Sequence, residues 1–128
     1  MANNLTNTAE DLALTWLYGT GSLTRPTAPI KVALVTAIGS DSAAGTEVVG
    51  GSYVRVSASL GAPSGGAQTN TAEIRFTNMP AVTVVGVDLF DSAGSPVRLW
   101  WGPLAANKVV NAGDDFVIAA GDLDLTLN

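Results

Sequence analysis

The sequence contains no cysteine and no histidine. Without thiols there is no disulfide framework, no redox pair and no thiolate zinc site. Without imidazole, Ser-His-Asp and Cys-His nucleophilic centres are excluded. Charge is also scarce, at 13% of residues, about half the usual ~25%. Six Lys and Arg stand against eleven Asp and Glu, for a net charge of −5. A phosphate backbone needs clustered positive charge, so nucleic acid is not an expected partner. No run of ~18 apolar residues exists, so no membrane insertion is expected. The first residues, Met1-Ala2-Asn3-Asn4, lack the basic region and apolar stretch of a signal peptide. The expectation is a chain used inside a cell or assembled there into a larger particle.

What is present is apolar and small. The 128 residues are 47% hydrophobic and include 14 glycines. A chain of this length forms one domain and buries roughly two thirds of its unfolded surface. Residues 1–128 are therefore read as one domain: a helix over 5–18, a linker over 19–29 and a β-sandwich over 30–128.

The helix rests on Leu5, Ala9, Leu12, Ala13, Trp16 and Leu17, which share one stripe at a 3.6-residue period. Asn7 or Thr8 is the expected cap, with Glu10 completing a capping box. Gly19 and Gly21 end the helix. Pro26 and Pro29 keep the linker irregular.

From Ile30 the period changes to 2. Strands are predicted over 30–38, 46–60, 72–77, 82–91, 97–101, 116–119 and 123–127, with Gly50-Gly51 interrupting the second. There Val54, Val56, Ala58 and Leu60 are expected to point inward, and Tyr53, Arg55, Ser57 and Ser59 outward. Leu123, Leu125 and Leu127 are the inward side of the last strand. Residues 61–71, small and polar, read as a long mobile loop. Many short strands with frequent turn signals, and no alternating helices, indicate a mainly β protein: an antiparallel sandwich or jelly roll with one N-terminal amphipathic helix.

The candidates for chemistry reduce to structural roles. Asp88/Asp91, Asp114/Asp115 and Asp122/Asp124 match no calcium-loop spacing, and Asp91 and Asp114 lie in turn sequences where Asp bonds its own backbone. The glycines at 45, 50 and 51 lack the following Lys and hydroxyl of a phosphate cradle. Arg55, Arg75 and Arg98 are read as surface or intersubunit ion-pairing residues. No residue set points to a catalytic centre, a cofactor or a metal, and no enzyme is expected. Trp100-Trp101 is the conspicuous aromatic pair. Adjacent strand residues face opposite sides, so one should enter the core and the other meet solvent, the helix or a partner. The candidate interface residues are Leu5, Leu12, Trp16, Tyr53, Arg55, Trp100 and Trp101.

The order of local features resembles a known group. It comprises Leu5-Thr6-Asn7-Thr8-Ala9-Glu10, Pro26-Thr27-Ala28-Pro29 and Gly45-Thr46-Glu47-Val48-x-Gly50-Gly51-x-Tyr53-x-Arg55-Val56. It continues with Asn70-x-x-x-Ile74-x-Phe76, Val85-Gly86-Val87-x-Leu89-Phe90-Asp91, Leu99-x-Trp101-Gly102-x-Leu104 and Val110-Asn111-Ala112-Gly113-Asp114. This is similar to small structural proteins of tailed bacteriophages, variously described as head decoration (cement), minor tail or tail fibre proteins. The resemblance spans residues 5–127. It departs at Met79-Pro80-Ala81, where such proteins often carry a tryptophan.

The resemblance implies a non-enzymatic virion protein. The expectation is a capsid decoration protein on the outer shell, binding the major capsid protein and bridging capsid subunits against internal genome pressure. Homo-oligomerisation is implied with it, as a trimer by analogy. The alternative is a tail fibre or tail-tip module bound to other tail proteins. A reading from a different class is a carbohydrate-binding sandwich using Trp100 or Trp101.

Overall fold

A computed structural model describes residues 4–127. Helix α1 spans Asn7–Tyr18. Its cap is Thr6, in extended conformation, whose Oγ1 accepts from Ala9 N at 3.2 Å. The expected cap at Asn7 or Thr8 is thus corrected by one or two positions. Thr6 is selected because its hydroxyl serves two elements: it also donates to the Arg98 carbonyl at 2.7 Å. Leu5 lies before the helix and forms an antiparallel bridge with Trp100. Gly19 closes α1 in the left-handed conformation, φ 64°, at no steric cost to a residue without Cβ.

The main sheet contains β1 (Lys31–Ala37), β2 (Thr46–Glu47), β3 (Val56–Ser57), β6 (Val82–Phe90) and β7 (Arg98–Val110). Its order is β2-β1-β6-β7, with β3 also on β1, and every pairing is antiparallel. Val32 to Val35 of β1 are all buried, so this strand is covered on both faces. Val32 and Leu34 enter the main core. Ala33 and Val35 lie on the opposite face, beneath residues 39–45. That segment is held down by Arg98 Nη1 donating to the Ser40 carbonyl at 2.6 Å and Gly45 N donating to Asp88 Oδ2 at 3.0 Å.

The β6–β7 register shifts between Val84 and Gly86. Val82 and Val84 face the core before the shift, Val87 and Leu89 after it, as a bulge reverses the alternation. Opposite, Pro103 pairs with Gly86 and Lys108 with Val84, leaving residues 104–107 to loop out. A Cβ on Gly86 would collide with Ile38 Cδ1 and the Gly102 carbonyl.

The second layer is two small antiparallel pairs: β4 (Ala67–Thr69) with β9 (Asp124–Thr126), and β5 (Ile74–Phe76) with β8 (Phe116–Ile118). Ile74, Phe76, Met79, Phe116, Ile118 and Leu123 meet Val32, Leu34, Val87 and Leu89 in one core. Burial of each large side chain contributes about 1.5–3 kcal/mol. Phe76 stacks on Tyr53, centroids 6.0 Å apart, and meets Phe116 edge-on at 6.1 Å.

The chain is therefore mainly β, antiparallel, with one N-terminal helix, as its sequence implies. Four local expectations are corrected. Residues 61–71 contain β4 rather than one long loop. β7 continues to Val110 because β6 supplies partners again for residues 108–110, beyond the bulge at 104–107. Tyr53 turns into the core and Val54 is exposed, since Gly50 and Gly51 (φ 113° and 56°) take the chain out of the sheet before it returns at β3. Leu127 is exposed, past the end of β9.

Candidate functional site

The Gly45–Val56 segment folds into a cluster around Glu47. Arg55 donates from Nη2 to Glu47 Oε1 at 2.8 Å and from Nε to Oε2 at 3.0 Å, the two-pronged geometry that suits guanidinium and carboxylate. Tyr53 Oη donates to Glu47 Oε2 at 2.8 Å and accepts from Leu34 N at 3.0 Å. The Arg55 guanidinium sits 3.7 Å from the Phe90 ring centroid, a cation–π contact. Burial pushes the Glu47 carboxyl up, but the bonds from Arg55 and Tyr53 outweigh it and hold the group below its usual range. Burial and the Glu47 carboxylate raise the Tyr53 phenol well above its ordinary value. Glu47 and Arg55 neutralise each other, and the phenol keeps its proton at neutral pH. With Lys31 and Asp91 the cluster lines an open cleft of about 420 Å³. Its geometry ties β1, β2 and the segment before β3 together.

A second constellation lies under residues 39–45. Arg98 Nη2 donates to Asp88 Oδ1 at 3.0 Å in a nearly dry site. The sequence pattern assigns Arg98 to surface or intersubunit ion pairing. The structure corrects this: the guanidinium is buried, paired with Asp88 and bonded to the Ser40 carbonyl within the same chain. The same segment receives Trp101 Nε1, which donates to Asp41 Oδ1 at 2.9 Å, while Asn7 N donates to the Asp41 carbonyl at 3.1 Å. Arg75, by contrast, is exposed and pairs with Glu73 and Asp115.

Two further acids act on the backbone. Asp91 accepts from Val97 N, Thr27 N and Ala93 N. The amides of Val97 and Thr27 hold its carboxyl below the ordinary range. Asp115 accepts from Asn78 N, which with Arg75 lowers its carboxyl as well. Among the described residues no three metal-ligating side chains converge.

The candidate interface residues fall in three places. Tyr53 and Arg55 meet on Glu47. Leu5, Trp100 and Trp101 meet where residues 4–6 pair with the edge of β7: Thr6 N donates to the Leu99 carbonyl and Trp101 N to the Asn4 carbonyl, both at 3.0 Å. Leu5 and Trp100 also line an apolar crevice of about 270 Å³ with Ile30, Leu60, Leu99 and Leu125. Trp100 packs against the core, its Nε1 buried without a partner. Leu12 and Trp16 are on α1, Leu12 half-buried and Trp16 exposed. Leu14 and Tyr18, absent from the candidates, are exposed beside Leu17 and Trp16. Their signal in the sequence is the absence of any charged residue from 12 to 24.

Fold and surface together define a β-rich protein whose polar clusters are consumed in holding the chain together, with Leu14, Trp16, Leu17 and Tyr18 exposed on the helix and further apolar side chains exposed elsewhere. Among protein families this chain falls with the structural proteins of bacteriophage virions. It belongs to the family described as podophage GP4 fiber I protein gp80, whose model matches residues 4–126. No curated protein matches the chain. No helix among the described residues is long and apolar enough to cross a membrane.

Proposed function

We propose that this chain is a non-enzymatic building block of a phage fibre on the tail, acting by binding other virion proteins. The family match over residues 4–126 carries this reading. The internal satisfaction of the Glu47–Arg55 and Asp88–Arg98 groups supports it, because charges already paired to one another are poor candidates for acid, base or nucleophile. The capsid-decoration role expected from the sequence takes second place, since the family is described by its fibre. The role would be mechanical: a small stiff β body, braced at its sheet edge by residues 4–6, that adds buried area where virion components meet.

The test is localisation on intact particles by cryo-EM or by a gold-labelled antibody. Density or label confined to tail appendages is expected. Label distributed over the head would overturn the fibre reading and favour the decoration reading.

A further inference from the structure

Residues 4–18 are fastened to the rest of the chain at one end only. Thr6 N donates to the Leu99 carbonyl and Trp101 N to the Asn4 carbonyl, both at 3.0 Å, and Asn7 N donates to the Asp41 carbonyl at 3.1 Å. Thr6 Oγ1 adds its bond to the Arg98 carbonyl. All four bonds fall within residues 4–7. Among the described residues, 8–18 make no hydrogen bond or ion pair outside this segment. Of the helix only Ala9 is fully buried. Residues 20–26, which join α1 to the sheet, make no hydrogen bond among the described residues, and all but Pro26 are exposed. The chain is next held at Thr27, whose N donates to Asp91 Oδ2 at 3.0 Å and whose carbonyl accepts from Ser92 N at 2.9 Å.

We infer that residues 4–18 form a strap that opens as one unit while the β body stays folded, baring the edge of β7 at Leu99–Trp101. Local opening is easiest where few apolar contacts and hydrogen bonds must be given up. No residue of the strap belongs to the main core, so opening leaves that core as it is. Residues 39–45 also stay in place, because the Arg98–Ser40 and Gly45–Asp88 bonds do not involve the strap. The linker over 20–26 spans at most about 25 Å when extended, enough for the strap to leave the edge without pulling on Thr27. Opening is a single event because of the helix. A helix of 12 residues is marginal alone in water. Its cap, Thr6, is the residue that makes two of the four bonds to the body. Release of residues 4–7 therefore also unfastens α1. Closed, the strap satisfies the Leu99 carbonyl and the Trp101 N–H on a sheet edge that would otherwise offer them to another strand. Open, those groups are free to accept one. The inference concerns a single chain and holds wherever in the virion the protein sits.

Native-state hydrogen exchange of the full chain, read amide by amide by NMR, tests this. The amides of Thr6, Glu10 and Trp101 should share one opening constant. It should be about 100-fold or more larger than that of the amides paired between β1 and β6. Urea below the unfolding transition should speed exchange in the β1–β6 pairing steeply and at those three amides only weakly, because opening the strap exposes little surface. Asn70→Leu gives a second readout. It loosens the second layer, which is intact whether the strap is open or closed. The β1–β6 amides should exchange faster in that variant, and Thr6, Glu10 and Trp101 should not. Protection of Thr6 and Trp101 equal to that of the β1–β6 amides would overturn the inference. So would a Trp101 amide that stays protected while Glu10 exchanges, since that is fraying of the helix alone. Strap amides that accelerate in step with the β1–β6 amides, in urea or in Asn70→Leu, would mean the strap is released only by global unfolding, and the inference would fall.

Discussion

Arg98 and Asp88 form the most buried ion pair of the described chain, their side chains 10% and 3% exposed and 3.0 Å apart. The pair is also the anchor of residues 39–45, through Ser40 and Gly45. Removing one partner strands a charge in a site with little water. Arg98→Met should therefore cost about 3–5 kcal/mol. Adding Asp88→Asn should return part of that loss, because the amide oxygen still accepts from Gly45 N and the stranded charge is gone. Urea denaturation of the parent, both singles and the double variant measures the coupling. A cost below about 1 kcal/mol for Arg98→Met would mean the pair behaves like an exposed one.

Glu47 makes stability depend on pH. Its carboxyl is below its ordinary 4.5 in the folded chain. As pH falls, the unfolded chain takes up the proton first, so folding is penalised. The contribution is complete above the unfolded value and is lost as pH falls through the lower folded one. Asp91 and Asp115, held below 3.8, act in the same direction at slightly lower pH. Glu47→Gln should lower stability at pH 7 and flatten its decline between about pH 5 and 3. The check is the urea midpoint against pH. Parallel curves for parent and variant would sink the assignment.

The helix start gives a discriminating pair of substitutions. Thr6 is buried and bonds both Ala9 N and the Arg98 carbonyl, whereas Asn7 is exposed. Thr6→Ala should cost about 1–2 kcal/mol and Asn7→Ala less than about 0.5. Thr6→Ser should restore most of the loss, since the hydroxyl is what both bonds use. Equal costs at the two positions would return the cap to Asn7.

The strands of this molecule were legible where a single face is buried, as in β5, whose Ile74 and Phe76 are core and Arg75 is exposed. β1 was legible as a strand, but its second buried side was not. Ala33 and Val35 are covered by a loop whose grip depends on Arg98, 58 positions from Ser40 in sequence. β4 was missed because Ala67, Gln68 and Thr69 have no pattern of their own and are strand only through pairing with β9. The Glu47, Tyr53 and Arg55 motif was readable as a motif. Its convergence on one carboxylate was not, because Gly50 and Gly51 reorient the chain between them. The same logic hides the helix face. The 3.6-residue period marks α1 as amphipathic, yet α1 buries only Ala9 fully, and the stripe at Leu14 and Tyr18 lies on the side away from the sheet.

Asn70 gives the sharpest test of how the second layer is held. Its side chain is 2% exposed. Nδ2 donates to the carbonyls of Ala72 and Ala119, each at 2.9 Å, and Oδ1 accepts from Leu123 N at 2.9 Å. One amide thus joins the exit of β4 to the β8–β9 turn. Asn70→Leu keeps the approximate volume but leaves one N–H and two carbonyls without their partner. Of these only the Leu123 N–H is fully buried, since Ala72 and Ala119 are exposed and the Ala119 carbonyl keeps Asp122 N, so the total should be about 1–3 kcal/mol. Asn70→Asp separates the donor role from the acceptor role. The carboxylate still accepts from Leu123 N, but its second oxygen faces two carbonyls and repels them. Protonation converts that oxygen to a donor for one carbonyl, which raises the folded-state value of the introduced acid. The deficit of Asn70→Asp relative to parent should therefore be larger at pH 7 than at pH 4. Urea midpoints at the two pH values decide it. A deficit that grows on acidification would mean the donor bonds of Asn70 do not hold this turn.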